Sequence, residues 1–103
     1  MELEIVRLET AEKSLFEIFQ YHKLNVSLNT ARKIITSIVK SADILTEHPS
    51  AGQVEEFLKK RKLKYRSIVS DNYKPIYTNG KKFVYIHLVI DTRQSPSKME
   101  NSL

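Results

Sequence analysis

Between residues 31 and 45 apolar side chains return at every third or fourth position: Ala31, Ile34, Ile35, Ile38, Ala42 and Leu45. That spacing puts all six on one stripe of an α-helix and predicts an amphipathic helix with one buried face. Ser27 or Asn29 can cap its start through a side-chain oxygen. His48-Pro49-Ser50-Ala51-Gly52 ends it, since proline cannot continue the hydrogen-bond ladder and glycine admits the positive φ of a helix exit. A different period governs residues 83–90, where Val84, Ile86, Leu88 and Ile90 alternate and are expected on one face of a central strand. A chain carrying both periods must bury a helical layer against a sheet.

The rest of the chain fits that frame. Residues 3–8 form a short apolar segment that reads as a strand. Thr10 is placed to cap a following helix, with Glu12 near its positive end and Ala11, Leu15, Ile18, Phe19 and His22 at helical spacing. The break around Leu24-Asn25-Val26 is so short that the two helices must form an antiparallel pair. Beyond residue 64 the pattern is extended at 65–69, 73–77 and 83–90, and Thr78-Asn79-Gly80-Lys81 carries the Asn-Gly signal of a tight hairpin. Pro75 removes a backbone donor in the middle strand, which predicts a bulge or a locally exposed edge there. The expected fold class is α+β: β-αα-βββ, an N-terminal strand and a helical hairpin on one face of a mostly antiparallel sheet. The residues from Asp91 onward are polar, and a frayed tail is expected from about residue 95.

Length and charge narrow the function classes. One hundred and three residues with 41% hydrophobic content suit one small domain, residues 1–103. There is no cysteine for a disulfide or a thiolate metal site, which suits a reducing cytosol. Met1-Glu2-Leu3-Glu4 lacks the basic region of a signal peptide, and no apolar run approaches the roughly 18–20 residues of a membrane span, so a cytoplasmic location is expected. The net charge of +5 is unevenly placed: residues 1–54 carry 6 basic and 7 acidic side chains, residues 55–103 carry 11 and 5. The surplus peaks in Lys59-Lys60-Arg61-Lys62-Leu63-Lys64-Tyr65-Arg66, where six of eight residues are cationic and one is aromatic. Such a run attracts a polyanion, because each neutralised phosphate releases condensed counterions; a solvated loop is the plainer alternative.

Most catalytic constellations are missing. Gly52 and Gly80 are the only glycines, so there is no phosphate-cradling loop. His22, His48 and His87 have no metal-ligand spacing and read as structural; no metal or cofactor is expected. No elbow or spacing joins Ser, His and Asp into a triad. What remains is a set of cations and phenols on strands and strand ends: Tyr65, Arg66, Tyr73, Lys74, Tyr77 and Arg93. Displayed on the sheet face opposite the helices, they would suit gripping phosphates, stacking on a base or stabilising charge in phosphoryl transfer. Asp91-Thr92-Arg93-Gln94 closes the apolar strand with a charged cluster, read either as a site or as a strand-end ion pair.

In order and spacing these segments resemble the RelE/ParE superfamily of bacterial type II toxins, often labelled plasmid-stabilisation proteins. The resemblance spans nearly the whole chain. It rests on the helical hairpin, His48-Pro49-Ser50-Ala51-Gly52, Tyr65-Arg66-Ser67-Ile68-Val69, Tyr73-Lys74-Pro75-Ile76-Tyr77 and Asp91-Thr92-Arg93-Gln94-Ser95-Pro96. It implies a growth-inhibiting toxin held inactive in a hetero-oligomer by a cognate antitoxin whose extended or helical segment wraps it and covers the positive surface; the expected seat for an amphipathic segment is the helical hairpin or a groove between hairpin and sheet. RelE-like members cleave mRNA on the ribosome with strand-borne Lys and Arg, and ParE-like members poison DNA gyrase. Arg66, Lys74 and Arg93 match basic positions of the nuclease pattern and would be catalytic in that case. Ile68 stands where a second strand lysine belongs, and neither Tyr nor His follows His87, which leans the reading toward the ParE-like side. Lys59, Lys60, Arg61, Lys62, Lys64, Tyr65, Arg66, Tyr73, Tyr77 and Arg93 are the candidates for contact with nucleic acid or target. The alternatives are a ribosome-dependent endoribonuclease and a non-catalytic nucleic-acid-binding module descended from a toxin.

Overall fold

A computed structural model describes residues 2–103. Strand β1 (Glu4–Arg7) runs directly into helix α1 (Glu9–Asn25). Leu8 makes the junction: its N–H donates to the Ile86 carbonyl as a strand residue would, and its carbonyl accepts the Glu12 N–H as the first helical acceptor. The helix thus starts without a side-chain cap, and Thr10, expected in that role, lies exposed in the first turn. Glu9 and Glu12 sit at the positive end of the helix dipole, and Arg7 Nε donates to Glu12 at 2.6 Å. Helix α2 (Leu28–Ser41) does begin on a cap, with Ser27 Oγ accepting the Thr30 N–H at 3.0 Å. It stops earlier than the apolar period suggests. The Ala42 N–H bonds to the Val39 carbonyl and the chain tightens into a 3-10 turn, Asp43–Thr46, which keeps Ala42 and Leu45 on one side and buried.

Four more strands complete a five-stranded sheet: β2 (Gln53–Val54), β3 (Arg66–Ser67), β4 (Tyr73–Asn79) and β5 (Phe83–Asp91), in the order β1-β5-β4-β3-β2. β1 is parallel to β5 and every other pairing is antiparallel, so the α+β reading and the central place of β5 hold. The extended stretch at 65–69 contributes only two strand residues, and β2, its partner, is too short to leave a period in the sequence. The expected hairpin joins β4 to β5, with the Gly80 N–H donating to the Phe83 carbonyl at 2.9 Å across Lys81-Lys82, but no glycine has positive φ; Ser70 and Tyr73 exchange both backbone bonds around Asp71-Asn72, with Asp71 at φ 53°.

The largest departure lies inside β5. Ile76 pairs with Leu88 but Tyr77 pairs with Ile86, leaving His87 unmatched as a β-bulge. An unmatched residue reverses the alternation, so Val84, Ile86 and Val89 face the helices while Leu88 and Ile90 face the other way. The expected single apolar face is therefore split between two cores. The first joins Ala11, Leu15, Ile38, Ala42 and Leu45 to Tyr73, Tyr77, Val84, Ile86 and Val89. The second joins Ile76, Leu88 and Ile90 to Leu58 and Met99. Met99, 1% exposed, belongs to helix α3 (Pro96–Ser102), so the tail expected to fray is instead a helix capped by Ser95 and docked on the far face of the sheet. Of the two outcomes expected at Pro75, a bulge does lie next to it, on the partner strand opposite the Ile76–Tyr77 step, and no exposed edge forms. The Pro75 carbonyl accepts the Ile68 N–H, and the donor it lacks would point to that same side, past the end of two-residue β3.

Candidate functional site

The register of the sheet separates the candidate residues. Tyr73, Pro75 and Tyr77 alternate onto the helix side, and Lys74, Ile76 and Thr78 onto the other. Tyr77 is completely buried: its hydroxyl donates to the Pro49 carbonyl at 2.7 Å and accepts the Gly52 N–H at 3.0 Å. Burial raises its pKa. It pins the segment after α2 to the sheet and lies out of reach of any nucleic acid. Gly52 is glycine for room rather than for conformation, since a Cβ there would meet the Tyr77 hydroxyl at 2.6 Å and the Ser67 carbonyl at 2.7 Å. Tyr73 is also buried on the helix side, and its hydroxyl lies 2.7 Å from His22 Nε2 on α1. Burial, then the Asp91 charge, raises its pKa. Neither tyrosine stands on the face opposite the helices, which is covered by α3 and the Leu58 turn rather than open.

The three cations of the nuclease pattern do not converge. Arg66 pairs with Tyr77 across the strands and so shares its face, where Nη1 donates to the Gly52 carbonyl at 2.8 Å. Lys74 projects from the opposite face and meets Glu55 Oε2 at 2.9 Å; the same carboxylate oxygen accepts from Ser67 Oγ at 3.1 Å. The Glu55 side chain is only 7% exposed, so this is a partly buried ion pair supported by a hydroxyl. Arg93, in the turn after β5, clasps Asp91 with Nε and Nη2 at 2.9 and 2.7 Å. That bond holds the Asp91 carboxyl below, and the guanidinium above, their ordinary ranges. Each cation already has an intramolecular acceptor. The Asp91–Arg93 cluster takes its strand-end ion-pair form.

The basic run forms an exposed loop. Lys59 pairs with Glu56 at 3.1 Å, both largely solvated. Arg61 donates to the Glu100 and Leu103 carbonyls at 2.6 Å each, placing a cation at the C-terminal end of α3. Lys60, Lys62 and Lys64 are exposed without an ion pair among the described residues. Tyr65 is half-buried against the second core, with its ring edge to face on His87, whose pKa burial lowers.

Two features escape the sequence reading. Glu55 is the buried counter-ion of Lys74; the sequence shows only a pair of acids, Glu55-Glu56, between Val54 and Phe57-Leu58 at the head of a basic half, and does not tell which of the two is buried. The other is a groove of about 470 Å³ between α1 and the end of β5, bordered by α3 and lined among others by Lys13, Glu17, Tyr21, Tyr73, Arg93 and Lys98. It exists because β1 ends at Arg7, leaving the outer edge of β5 unpaired beyond Ile86; there the Val89 N–H is satisfied by Ser14 Oγ at 3.0 Å. Among the described residues no three His, Asp or Glu side chains gather to hold a metal ion, and no helix is long and apolar enough to cross a membrane.

No protein-family model and no curated protein matches the sequence. The fold does match: a chain in the solved structure of the chromosomal ParDE TA system from P. aeruginosa superposes with a TM-score of 0.74 over 89% of this chain and 98% of its own length, at 13% identity. The fold is thus the RelE/ParE type that the sequence resembles.

Proposed function

We propose that this chain is the toxin of a type II toxin–antitoxin system and that it acts by binding its target, DNA gyrase, rather than by cutting mRNA. One observation carries the choice between the two activities: Arg66 and Lys74 project from opposite faces of the sheet, Arg93 lies in the turn after β5, and each is engaged, by Gly52, Glu55 and Asp91 respectively. Phosphoryl transfer needs cations aimed together at developing charge. Here two of the three would first have to give up a carboxylate. The missing lysine at Ile68 and the absence of Tyr or His after His87 support the same reading. For the antitoxin, the groove along the open edge of β5 suits an amphipathic segment: apolar Ile18, Val89 and Ile90 form part of its lining, and Lys13 and Lys98 would meet acidic side chains.

The test is to follow DNA synthesis and protein synthesis in parallel cultures in the minutes after induced expression. DNA synthesis is expected to fall first, and Arg93→Ala to leave translation untouched. A fall in translation alone, abolished by Arg93→Ala in a folded protein, would replace this reading with ribosome-dependent RNA cleavage. Co-expression with the protein encoded beside it in the operon is expected to yield a stable complex, weakened by charge reversal at Lys13 and Lys98.

A further inference from the structure

The loop from 57 to 64 contains a side chain the fold does not use. Phe57 lies in the short 3-10 turn Glu56–Leu58, where Leu58 points into the second core and Phe57 points out, 57% exposed. It shares a shallow surface hollow with Lys59, Lys60 and Arg61, and a second hollow on the same loop carries Lys59, Lys62, Lys64 and Tyr65. Against these cations stand Glu56, which is solvated beside Lys59, and Glu100; Glu55 is buried and engaged by Lys74. An exposed aromatic ring beside the unpaired ammonium of Lys60, on a loop that also carries those of Lys62 and Lys64, matches a particular chemistry. Lysines attract a phosphodiester backbone and an exposed ring stacks on a base of any identity. The base must be unpaired, since in a duplex both faces of each base are already stacked.

We infer that this loop is a binding surface for single-stranded nucleic acid, with Lys60, Lys62 and Lys64 on successive phosphates and Phe57 stacked on a base. The surface is separate from the groove along β5 and does not depend on the toxin reading. It involves no cleavage, because none of the loop residues pairs a base with an acid at a reacting centre.

Fluorescence anisotropy with labelled dT20, rU20 and a hairpin duplex, titrated at several salt concentrations, tests it. Both single strands are expected to bind more tightly than the duplex, and comparison of dT20 with rU20 shows whether the sugar matters. Lys60→Gln/Lys62→Gln/Lys64→Gln should lower the slope of log affinity against log salt by about 2. Phe57→Ala should weaken binding by roughly 5- to 100-fold, with Phe57→Tyr restoring it. Lys33→Gln/Lys40→Gln/Lys81→Gln removes the same charge elsewhere and should cost little. The inference is overturned if neither strand binds at low salt, if the two triple variants lose affinity equally, if the duplex binds best, or if Phe57→Ala binds like the parent. Thermal unfolding and antitoxin co-purification of each variant separate these outcomes from misfolding and from failure of the toxin reading.

Discussion

Tyr77 joins three parts of the chain through one hydroxyl, bonding Pro49 and Gly52 from the middle of β4 while Arg66 holds the Gly52 carbonyl beside it. Tyr77→Phe would leave a buried N–H and carbonyl unpaired, and denaturant unfolding should show a loss of about 1–3 kcal/mol. Gly52→Ala should cost about as much for a different reason, overpacking against the Tyr77 ring and the Ser67 carbonyl. Wild-type stability in both variants would mean that the 49–52 segment is not fastened in this way. The Glu55–Lys74 pair makes an opposite kind of prediction. Lys74→Ala strands a carboxylate that is 7% exposed, and a loss of about 2–4 kcal/mol is expected, below the range for a fully buried pair because Lys74 is 22% exposed. Glu55→Gln/Lys74→Met should regain most of it, since no charge is then left uncompensated. If the double variant were as unstable as the single, packing rather than charge would govern the site. Sequence alone offered Asp91 as the partner of Arg93, two residues away, but named Arg66, Lys74 and Tyr77 without theirs, because a partner such as Gly52, Glu55 or Pro49 is set by sheet register and not by proximity in the chain.

At the scale of elements, the bulge at His87 decides which side chains meet. By leaving one residue unmatched it sends Val89 to the helical core and Leu88 and Ile90 to the other, and it turns the His87 ring inward onto Thr78 Oγ1 at 2.8 Å and the Tyr65 ring. Burial lowers the His87 pKa, so the folded state resists a proton that the unfolded chain accepts from about pH 6.5 downward. Between the ordinary and the lowered value the unfolded chain holds more protons; stability therefore rises with pH there and falls on acidification through that window. Urea titrations at pH 5 and pH 8 should show this difference, and His87→Gln should remove most of it; a parent protein indifferent to pH over that range would contradict the placement of the ring. The helices and the long strands were legible because their periods extend over many residues. Helix α2 was capped at Ser27 as its sequence indicates, while two-residue β2 leaves no period to read; a bulge was expected at Pro75 in β4, but the extra residue is His87 of β5, opposite the Ile76–Tyr77 step, and a one-residue slip changes facing without changing composition. The Asn79-Gly80 signal pointed to the right hairpin, but its two loop residues are Lys81-Lys82 and no positive φ is used there; the positive φ belongs to Asp71 in the preceding connection.

For the whole molecule, the sheet separates two cores that share β4 and β5, and the second is closed by the Leu58 turn, Tyr65, α3 and Leu103. Helix α3 has seven residues, too short to be stable by itself, so its order derives from Met99 in the core and from Arg61 at its carboxyl end. Composition concealed this: a polar run with one methionine reads as a tail, and the apolar surface it covers became available only through the bulge in β5. Closure of the second core should therefore be a local event. Met99→Ala is expected to remove about 2 kcal/mol, the low end for such a truncation because the helix is peripheral. Native-state hydrogen exchange should show α3 and the 56–65 loop losing protection together, with α1, α2 and β1 unchanged. Arg61→Ala should have a smaller effect confined to the last turn of α3, where two carbonyls lose their donor. Uniform loss of protection in Met99→Ala would show instead that the two cores open as one unit, with β5 transmitting the loss of Met99 across the sheet to Val84, Ile86 and the helical hairpin.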